Sequence, residues 1–318
     1  MRLTQPRHRE RPARMRMVRH IVDAALDGAP LWRVLEERLN LSDIAIKRAK
    51  RVPGAIALNG EPSRTNAIVC AGQEVAVAID DATLGPRERY GEPVEPQPGP
   101  LDVVFEDEDL AVLNKPAGLV VHPCSGQRRD TLGNYLQHHL RERGVECALH
   151  PVHRLDVGTT GLIAFATSGY VQARLQAQIE QGTFVREYLA ICTGRLPEPE
   201  GLVKAPIGRV GLGPRSWDVR ADGRPATTRY QVLRELSGAE GPLALVRLRL
   251  LTGRTHQARV HMAHLGCPLL GDEAYGKPSQ LMGRAALHSW RLRCVQPVTG
   301  EPLELEAAVP EDMAGVIG

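Results

Sequence analysis

The stretch His153-Arg154-Leu155-Asp156-Val157-Gly158-Thr159-Thr160-Gly161 is the densest group of reactive side chains in the sequence, and the fold can be worked out from it. It leads into the short apolar run Gly161–Ala166, which predicts a strand. Polar residues that directly precede a strand lie in a loop at the edge of a sheet, where functional groups accumulate. Taken alone, so short a match more often means a loop aspartate that pairs with an arginine. The surrounding sequence must therefore decide whether Asp156 carries chemistry.

The segments on either side of this stretch mix strand and helix patterns. Upstream, residues 102–113 predict a hairpin around an acidic turn. Asp130 is predicted to cap a helix that runs through Leu140. Ser168 begins a second helix, and Gly182 is suited to end it. Because strands outnumber helices and do not alternate with them strictly, we expect an α+β fold with a mixed, largely antiparallel sheet. The further predicted strands are Glu187–Cys192, Thr227–Leu233 and Leu243–Leu250.

Residues 21–84 predict a separate, small α/β domain. Leucine and valine recur at helical spacing over residues 31–39, and a second helix is predicted from Ser42, as N-cap, through Arg51. The pair Asn59-Gly60 suits a tight turn that needs positive φ between strands. The second helix is basic, and its positive side chains are candidates for binding a polyanion. They are Lys47, Arg48, Lys50 and Arg51.

Composition divides the chain into four parts. Residues 1–20 carry seven arginines against a single glutamate, which is typical of a basic flexible arm. Residues 85–100 contain five prolines and few apolar side chains, which predicts a semi-rigid linker. The predicted organisation is therefore an arm (1–20), a small domain (21–84), a linker (85–100) and a large domain (101–318).

Charge is unevenly distributed along the chain. Residues 1–80 hold 14 Lys and Arg against 9 Asp and Glu, whereas the remainder holds 26 against 28. A basic N-terminal part beside a near-neutral body indicates either a polyanionic partner or simply a solvated surface. Charge alone does not choose between these two interpretations.

Several classes of protein are disfavoured by the composition. The six cysteines include no C-x-x-C pair, which argues against a zinc ribbon or a redox motif and favours the reduced thiols of a cytoplasmic protein. No run approaches 18 apolar residues, so no membrane span is expected. The arginine-rich start has no apolar core of a secretory signal.

Further motifs accompany the Asp156 stretch in a fixed order. Together with it they resemble the RluA-type family of pseudouridine synthases, over about residues 101–310. Several motifs in the correct order make chance a poor explanation, so this resemblance outweighs the interpretation of Asp156 as a simple surface pair. The motifs are Asn114–Pro123, Arg186–Tyr188, Thr252–His261, Leu270–Gly276, Leu287–Leu292 and Pro297–Gly300. Residues 41–79 are more loosely similar to the S4 RNA-binding domain.

The resemblance implies an RNA-modifying isomerase that turns uridine into pseudouridine with Asp156 as its catalytic carboxylate. The C1′–N1 bond must break, and the freed uracil must rotate and rejoin through C5. Because the base stays in the site and nothing is hydrolysed, neither a cofactor nor a metal is expected, and one carboxylate can suffice. Arg259 is implied as its partner, since a guanidinium can hold a carboxylate ionised through two hydrogen bonds. Tyr188 is implied to stack on the flipped uracil.

Other site residues follow from the same resemblance. Arg154 is implied to take the space of the extruded base, or to bind phosphate. Lys115, Arg254 and His256 are expected to line the site or bind RNA phosphates, with a structural role as the alternative for each. Two positions depart from the family pattern: Thr160 stands where serine is usual, and Arg186 stands where lysine is frequent. Neither change affects Asp156.

Alternatives remain open at this point. The spacing of His150, His153 and Asp156 imitates a two-histidine, one-carboxylate metal triad, with further histidines at 256, 261 and 264, so a metal-dependent hydrolase is one rival. An RNA-binding protein without catalysis is another, although Asp156, Tyr188 and Arg259 argue against it. Large-subunit rRNA is the expected substrate because of the S4-like domain, and tRNA is the alternative. We expect a monomer.

Overall fold

The computed structural model describes residues 15–84, 94–213 and 216–318. The chain forms two compact units, one holding residues up to 91 with 146–148 and 168–170, the other holding the remaining residues from 92 onward. The division after residue 91 falls within the proline-rich segment 85–100. Residues 1–14 of the predicted arm and 85–93 of the predicted linker lie outside the described residues.

The first unit is a four-stranded antiparallel sheet with short helices. Its strands lie in the order β1-β4-β2-β3. The predicted flexible arm is wrong for residues 17–20, because they belong to β1 and pair with β4. The elements are β1 (Met17–Ile21), a 3-10 helix (Ala24–Leu26), α1 (Leu31–Glu37), α2 (Asp43–Ala49), β2 (Ile56–Leu58), β3 (Glu61–Pro62), β4 (Glu74–Ala78) and α3 (Asp81–Leu84).

Two local predictions in this unit are confirmed. The Ser42 side chain accepts a hydrogen bond from the Ala45 backbone N–H and caps α2. Asn59 and Gly60 join β2 to β3 with φ of 52° and 84°, the left-handed values that a tight hairpin turn requires. The helix ends at Ala49, earlier than predicted.

The second unit is built on a ten-stranded sheet. The main order is β10-β13-β14-β9-β15-β8-β6-β5, with β16 beside β15 and β7 beside β8. Every pairing in it is antiparallel except β15 with β8, so the predicted mixed, largely antiparallel α+β fold is confirmed. The strands are β5 (Val103–Glu106), β6 (Leu110–Lys115), β7 (His150–Pro151), β8 (Thr160–Ala166), β9 (Val185–Thr193), β10 (Glu200–Lys204), β13 (Thr227–Gly238), β14 (Gly241–Leu250), β15 (Leu287–Val295) and β16 (Pro302–Glu306), and β11 (Ile207–Arg209) and β12 (Trp217–Val219) form a separate pair.

The described residues from 94 onward also form the helices α4 (Leu132–Glu142), α5 (Gly169–Gln181), α6 (Gln257–His264) and α7 (Glu311–Ile317). Helix α5 ends before Gly182 at φ 75°, as predicted. The prediction that Asp130 caps α4 is wrong, because the N-cap is Thr131. Thr131 is extended and exchanges capping bonds with Asn134, whereas Asp130 is left-handed at φ 55°. Among the described residues, no helix has the length and apolar character needed to cross a membrane.

The parallel contact between β8 and β15 depends on a glycine. All seven residues of β8 are buried, and Ser289 of β15 lies opposite Gly161. A Cβ atom on Gly161 would lie 2.2 Å from the Ser289 carbonyl oxygen, and its φ is 101°. Only glycine tolerates both conditions. Gly161 therefore fixes the start of β8, and with it the loop that carries Asp156.

Candidate active site

Asp156 lies in the loop between β7 and β8. Its carbonyl accepts a hydrogen bond from the Thr159 N–H at 3.0 Å, which closes a turn, while the preceding Leu155 is buried. The Asp156 side chain is 19% exposed. A buried leucine thus anchors the loop, and the carboxylate next to it keeps access to solvent at the sheet edge, where the sequence predicted it.

Arg259, on α6, links Asp156 to a second carboxylate. Its Nη1 lies 3.6 Å from Asp156 Oδ2, but its Nε and Nη2 each donate to Asp272 at 2.7 Å. The two-bond clamp expected on Asp156 is therefore made on Asp272 instead. Burial alone would lower the pKa of Arg259, but the hydrogen bonds and charge of Asp272 outweigh it and raise that pKa. Arg259 lies on a helix, because residues 257–264 are helical.

Asp272 is the functional residue that sequence reasoning missed. Its side chain is fully buried and also accepts hydrogen bonds from the backbone N–H groups of Ala274 and Tyr275, both at 3.2 Å. Gly271 at φ 71° holds it there, since a Cβ atom on Gly271 would meet two carbonyl oxygens at 2.4 Å. Asp272 lies inside the motif 270–276. The sequence therefore marked its segment, but gave no reason to assign a role to this aspartate.

His256 is a second neighbour of the Asp156 carboxylate. Its Nε2 lies 3.9 Å from Asp156 Oδ2, and its Nδ1 is 2.8 Å from the Tyr275 hydroxyl. Burial lowers the pKa of His256, and the negative charge of Asp156 opposes this only partly. His256 holds φ at 55°, a strained value for a residue other than glycine. Arg259, Asp272, Tyr275 and His256 therefore form one polar network with the partly exposed Asp156 carboxylate.

Gln257 anchors the first turn of α6, which carries this network. Its side-chain amide donates to the Thr227 carbonyl and to the Thr228 hydroxyl, both at 3.0 Å. Its oxygen accepts from the Thr252 hydroxyl and the Arg254 N–H. All four bonds of a buried amide are thus satisfied, which rigidifies the loop that positions His256.

Tyr188 is buried on β9, with 3% of its surface exposed. Burial raises the pKa of Tyr188, and the charge of Asp156 adds to that shift, whereas Arg186 acts against it. The phenol is therefore neutral and close to both charged groups. Tyr188 therefore lies within reach of the charge of Asp156.

Lys115 is not placed to bind phosphate. It is fully buried, and its ammonium donates to three backbone carbonyls, those of Pro116, Leu119 and Val157, at 2.8 to 2.9 Å. Burial is the main reason that the pKa of Lys115 falls to about 8. The expected RNA contact is therefore wrong, and Lys115 instead ties β6 to the residue that follows Asp156.

The two remaining predicted arginines lie at the rim. Arg154 is exposed in the Asp156 loop. Arg254 is half-buried and donates from Nε to the Pro225 carbonyl at 3.0 Å, which leaves its two terminal nitrogens outside that bond. In the first unit, Lys47, Lys50 and Arg51 are exposed and Arg48 is half-buried.

Two histidines considered for a metal site, His153 of the triad and the further His261, make other contacts. His153 accepts a long 3.4 Å hydrogen bond from the Ala164 N–H, and its ring packs edge-on against Phe184. Both nitrogens of His261 are engaged, one by the Thr228 hydroxyl and the other by the Ala205 carbonyl. Within the described ranges, no group of three His, Cys, Asp or Glu side chains is arranged to hold a metal ion.

We predict that His153 makes stability fall in acid. Burial first, and the charge of Arg186 second, lower the pKa of His153 to about 3. The unfolded chain takes up this proton near pH 6.5, so between about pH 6 and 4 the group removes about 1.4 kcal/mol of unfolding free energy for each pH unit of acidification. In urea unfolding, His153→Gln, which keeps an acceptor for Ala164, should show a flatter pH dependence than the wild type. His264→Gln, at an exposed position on α6, is the control, and equal slopes for all three proteins would contradict the prediction.

Comparison with known proteins identifies the family. The model of the RNA pseudouridylate synthase family matches residues 109–264. An uncharacterized RNA pseudouridine synthase of Bacillus subtilis, YhcT, is 38% identical over 293 residues, which cover 92% of this chain and 94% of the relative. Ribosomal large subunit pseudouridine synthase D of Vibrio parahaemolyticus is also 38% identical, over 86% of each chain.

A solved structure agrees with these matches. Human RNA pseudouridylate synthase domain containing 4 superposes with a TM-score of 0.55 at 26% identity, over 68% of this chain and 91% of that one. The fold and the sequence matches together define an RNA-modifying isomerase. The chain belongs to the RluA-type family of RNA pseudouridine synthases, as the sequence motifs predicted.

Proposed function

We propose that this enzyme isomerises uridines of large-subunit rRNA with Asp156 as its single catalytic carboxylate. The observation that supports this is the solvent-accessible Asp156 side chain at the edge of the sheet, 3.6 Å from a guanidinium that is itself fixed by a buried aspartate. The name of the Vibrio parahaemolyticus relative refers to the ribosomal large subunit. An rRNA substrate would place the enzyme in the cytoplasm, and we expect it to act as a monomer.

The reaction needs an ionised carboxylate beside the ribose. The C1′–N1 bond breaks with its electron pair passing to N1, the uracil rotates, and C5 forms the new bond to C1′. N1 then gains a proton and C5 loses one. Asp156 either attacks C1′ or removes the ribose 2′ proton, and both routes require its negative charge. Arg259 Nη1 and His256 Nε2 lie 3.6 and 3.9 Å from the same Asp156 oxygen, and we propose that they hold the carboxylate in this form and orientation.

The uridine has to leave its stack to reach this site. We propose that Tyr188 forms the floor on which the flipped base rests, and that Arg154, exposed in the same loop as Asp156, fills the space that the base leaves. Arg254 would contact RNA phosphates from its terminal nitrogens, since only Nε is used by Pro225.

Release of tritium from 5-tritiated uridine tests the proposed function, because C5 loses its hydrogen only when the new C–C bond forms. Mapping pseudouridines in rRNA and tRNA from cells with and without the gene then tests the substrate. A site that disappears from 23S rRNA supports the proposal. Loss of a tRNA site alone would reassign the enzyme to tRNA, and RNA binding without any tritium release would contradict the proposed activity.

We also propose that the first unit acts as an S4-like RNA-binding domain through α2. Lys47→Gln, Lys50→Gln and Arg51→Gln combined should weaken RNA binding and reduce the slope of log affinity against log salt by about 2 to 3, with kcat unchanged. The matched control replaces Arg19, Arg33 and Arg38, which already pair with Glu74, Glu37 and Asp23. Equal effects of the two triple variants on RNA binding would contradict a specific role of α2.

A further inference from the structure

Arg186 is a buried guanidinium that lacks a counter-ion among the described residues. Only 6% of its surface is exposed, and its Nε has no hydrogen-bond partner in the described part of the chain. The neighbouring carboxylate, Glu187, lies instead 3.9 Å from Arg293. A guanidinium stays charged at every physiological pH, so burying it without an anion is costly.

The position of Arg186 directs this charge to the active site. Arg186 and Tyr188 are two residues apart on β9 and therefore project from the same face of the sheet. The charge of Arg186 acts on the pKa of both Tyr188 and His153, although burial is the larger cause for each. The tip of the side chain points to the loop that precedes α6, since a Cβ atom on Gly253 would lie 3.8 Å from Arg186 Nη1 and 3.9 Å from Nη2.

The loop before α6 thus passes this guanidinium, and the charge of Arg186 also reaches His153, next to the loop of Asp156. Each of these two loops carries a further arginine. Arg154 lies on the loop of Asp156, and Arg254 follows Gly253. Gly253 is itself exposed, so the backbone beside the tip of Arg186 is open to solvent. Arg186 therefore presents unused N–H donors beside a stretch of backbone that is open to solvent.

The N–H groups of the Arg186 guanidinium are suited to bind a phosphate. Its parallel donors match two oxygens of one anion, and the RNA substrate carries one phosphate for each nucleotide. A uridine that is flipped out of a helix brings its own phosphate toward the protein. A uracil carbonyl is neutral in the ground state, so it cannot compensate the buried charge before the reaction begins.

We infer that Arg186 binds a backbone phosphate of the RNA next to the target uridine and so fixes the flipped nucleotide over Tyr188 and beside Asp156. This inference rests on the proposed function, because it assumes that Asp156 is the reacting carboxylate. Burial of the Arg186 charge lowers the stability of the free protein, and binding of the RNA phosphate offsets this loss.

The first test uses no RNA and is therefore independent of catalysis. Arg186→Met should melt at the same temperature as the wild type or higher, because it removes an uncompensated buried charge. Inorganic phosphate should raise the melting temperature of the wild type above that in chloride at equal ionic strength, and this difference should vanish in Arg186→Met and be partly restored in Arg186→Lys. The control is Arg129→Met, an exposed arginine paired with Glu95, which should keep the phosphate effect.

The second test uses a 5-tritiated transcript of 23S rRNA. Arg186→Met should raise KM about 10-fold or more, and the slope of log kcat/KM against log salt should fall by about 0.7 to 0.9, the value of one phosphate contact. A lower melting temperature for Arg186→Met with an intact phosphate effect would make Arg186 a structural residue and overturn the inference. A loss confined to kcat, with KM and the salt slope unchanged, would instead place Arg186 on the uracil.

Discussion

Asp156→Asn should lower the rate of tritium release from 5-tritiated uridine in RNA by a factor on the order of 10⁴. The amide has the shape of the carboxylate but can neither attack C1′ nor remove a proton from the ribose. Asp272, the other carboxylate of the network, cannot take over, because it is buried and its oxygens already accept four hydrogen bonds. RNA binding should persist within a few-fold, since the positive groups around the site are unchanged.

The control for this experiment is Asp222→Asn. Asp222 is 70% exposed and pairs with Arg220 in a surface turn, so its loss should leave tritium release unchanged. Filter binding of the same transcript shows whether a silent variant still holds RNA. If Asp156→Asn releases tritium at the wild-type rate, another group carries the chemistry. If the wild type binds RNA yet releases no tritium from any transcript, the chain is an RNA-binding protein.

The second large effect is expected at Asp272, and it concerns stability. Asp272→Asn replaces the two charged oxygens that accept from Arg259 by a single neutral amide oxygen. The aspartate side chain has no exposed surface, so water cannot replace the lost acceptor. Breaking one side of a buried ion pair costs about 3 to 5 kcal/mol, and urea unfolding should show a loss of that order. Because Arg259 also faces Asp156, tritium release by the folded fraction should fall as well.

Asp312 provides the matched control, since it makes the same two-bond contact from a partly exposed position, to an arginine that also donates to three backbone carbonyls. It accepts from Arg284 at 2.7 and 2.9 Å but is 44% exposed. Asp312→Asn should therefore cost about 1 kcal/mol or less. Replacing both members, as in Asp272→Asn with Arg259→Gln, should be less harmful than the sum of the single changes. Equal losses for Asp272→Asn and Asp312→Asn would show that burial of the pair does not matter.

Both predictions concern contacts that the sequence could not supply. Asp156 and Arg259 were identified from their motifs. The sequence predicted two hydrogen bonds between them, whereas Arg259 makes its two hydrogen bonds to Asp272. Asp272 lies only thirteen positions after Arg259, and its role depends on Gly271 turning the chain so that its carboxylate meets α6. A motif records which residue types are present, whereas a hydrogen bond depends on distances of a few tenths of an ångström.

The elements that the sequence did predict are those with a local signal. The hairpin of β5 and β6, helix α5 with its glycine stop and the cap of α2 by Ser42 all depend on residues close together in the chain. Even here the cap of α4 moved by one residue, because Thr131 and Asn134 satisfy each other while Asp130 does not adopt an extended backbone. Local rules thus find an element more reliably than its first residue.

For this protein the sequence by itself determined the family, the mixed sheet and the aspartate on which the proposed chemistry depends, because each is carried by periodicity or by an ordered set of motifs. Only the tertiary structure decided what the charged residues do. In the folded protein, Lys115 is buried and donates to three backbone carbonyls, and the guanidinium of Arg259 binds Asp272. Arg186 is buried with no counter-ion among the described residues. The physical reason is that the free energy of a charge depends on its removal from water and on which opposite group lies within about 4 Å, and both are set by packing between distant segments.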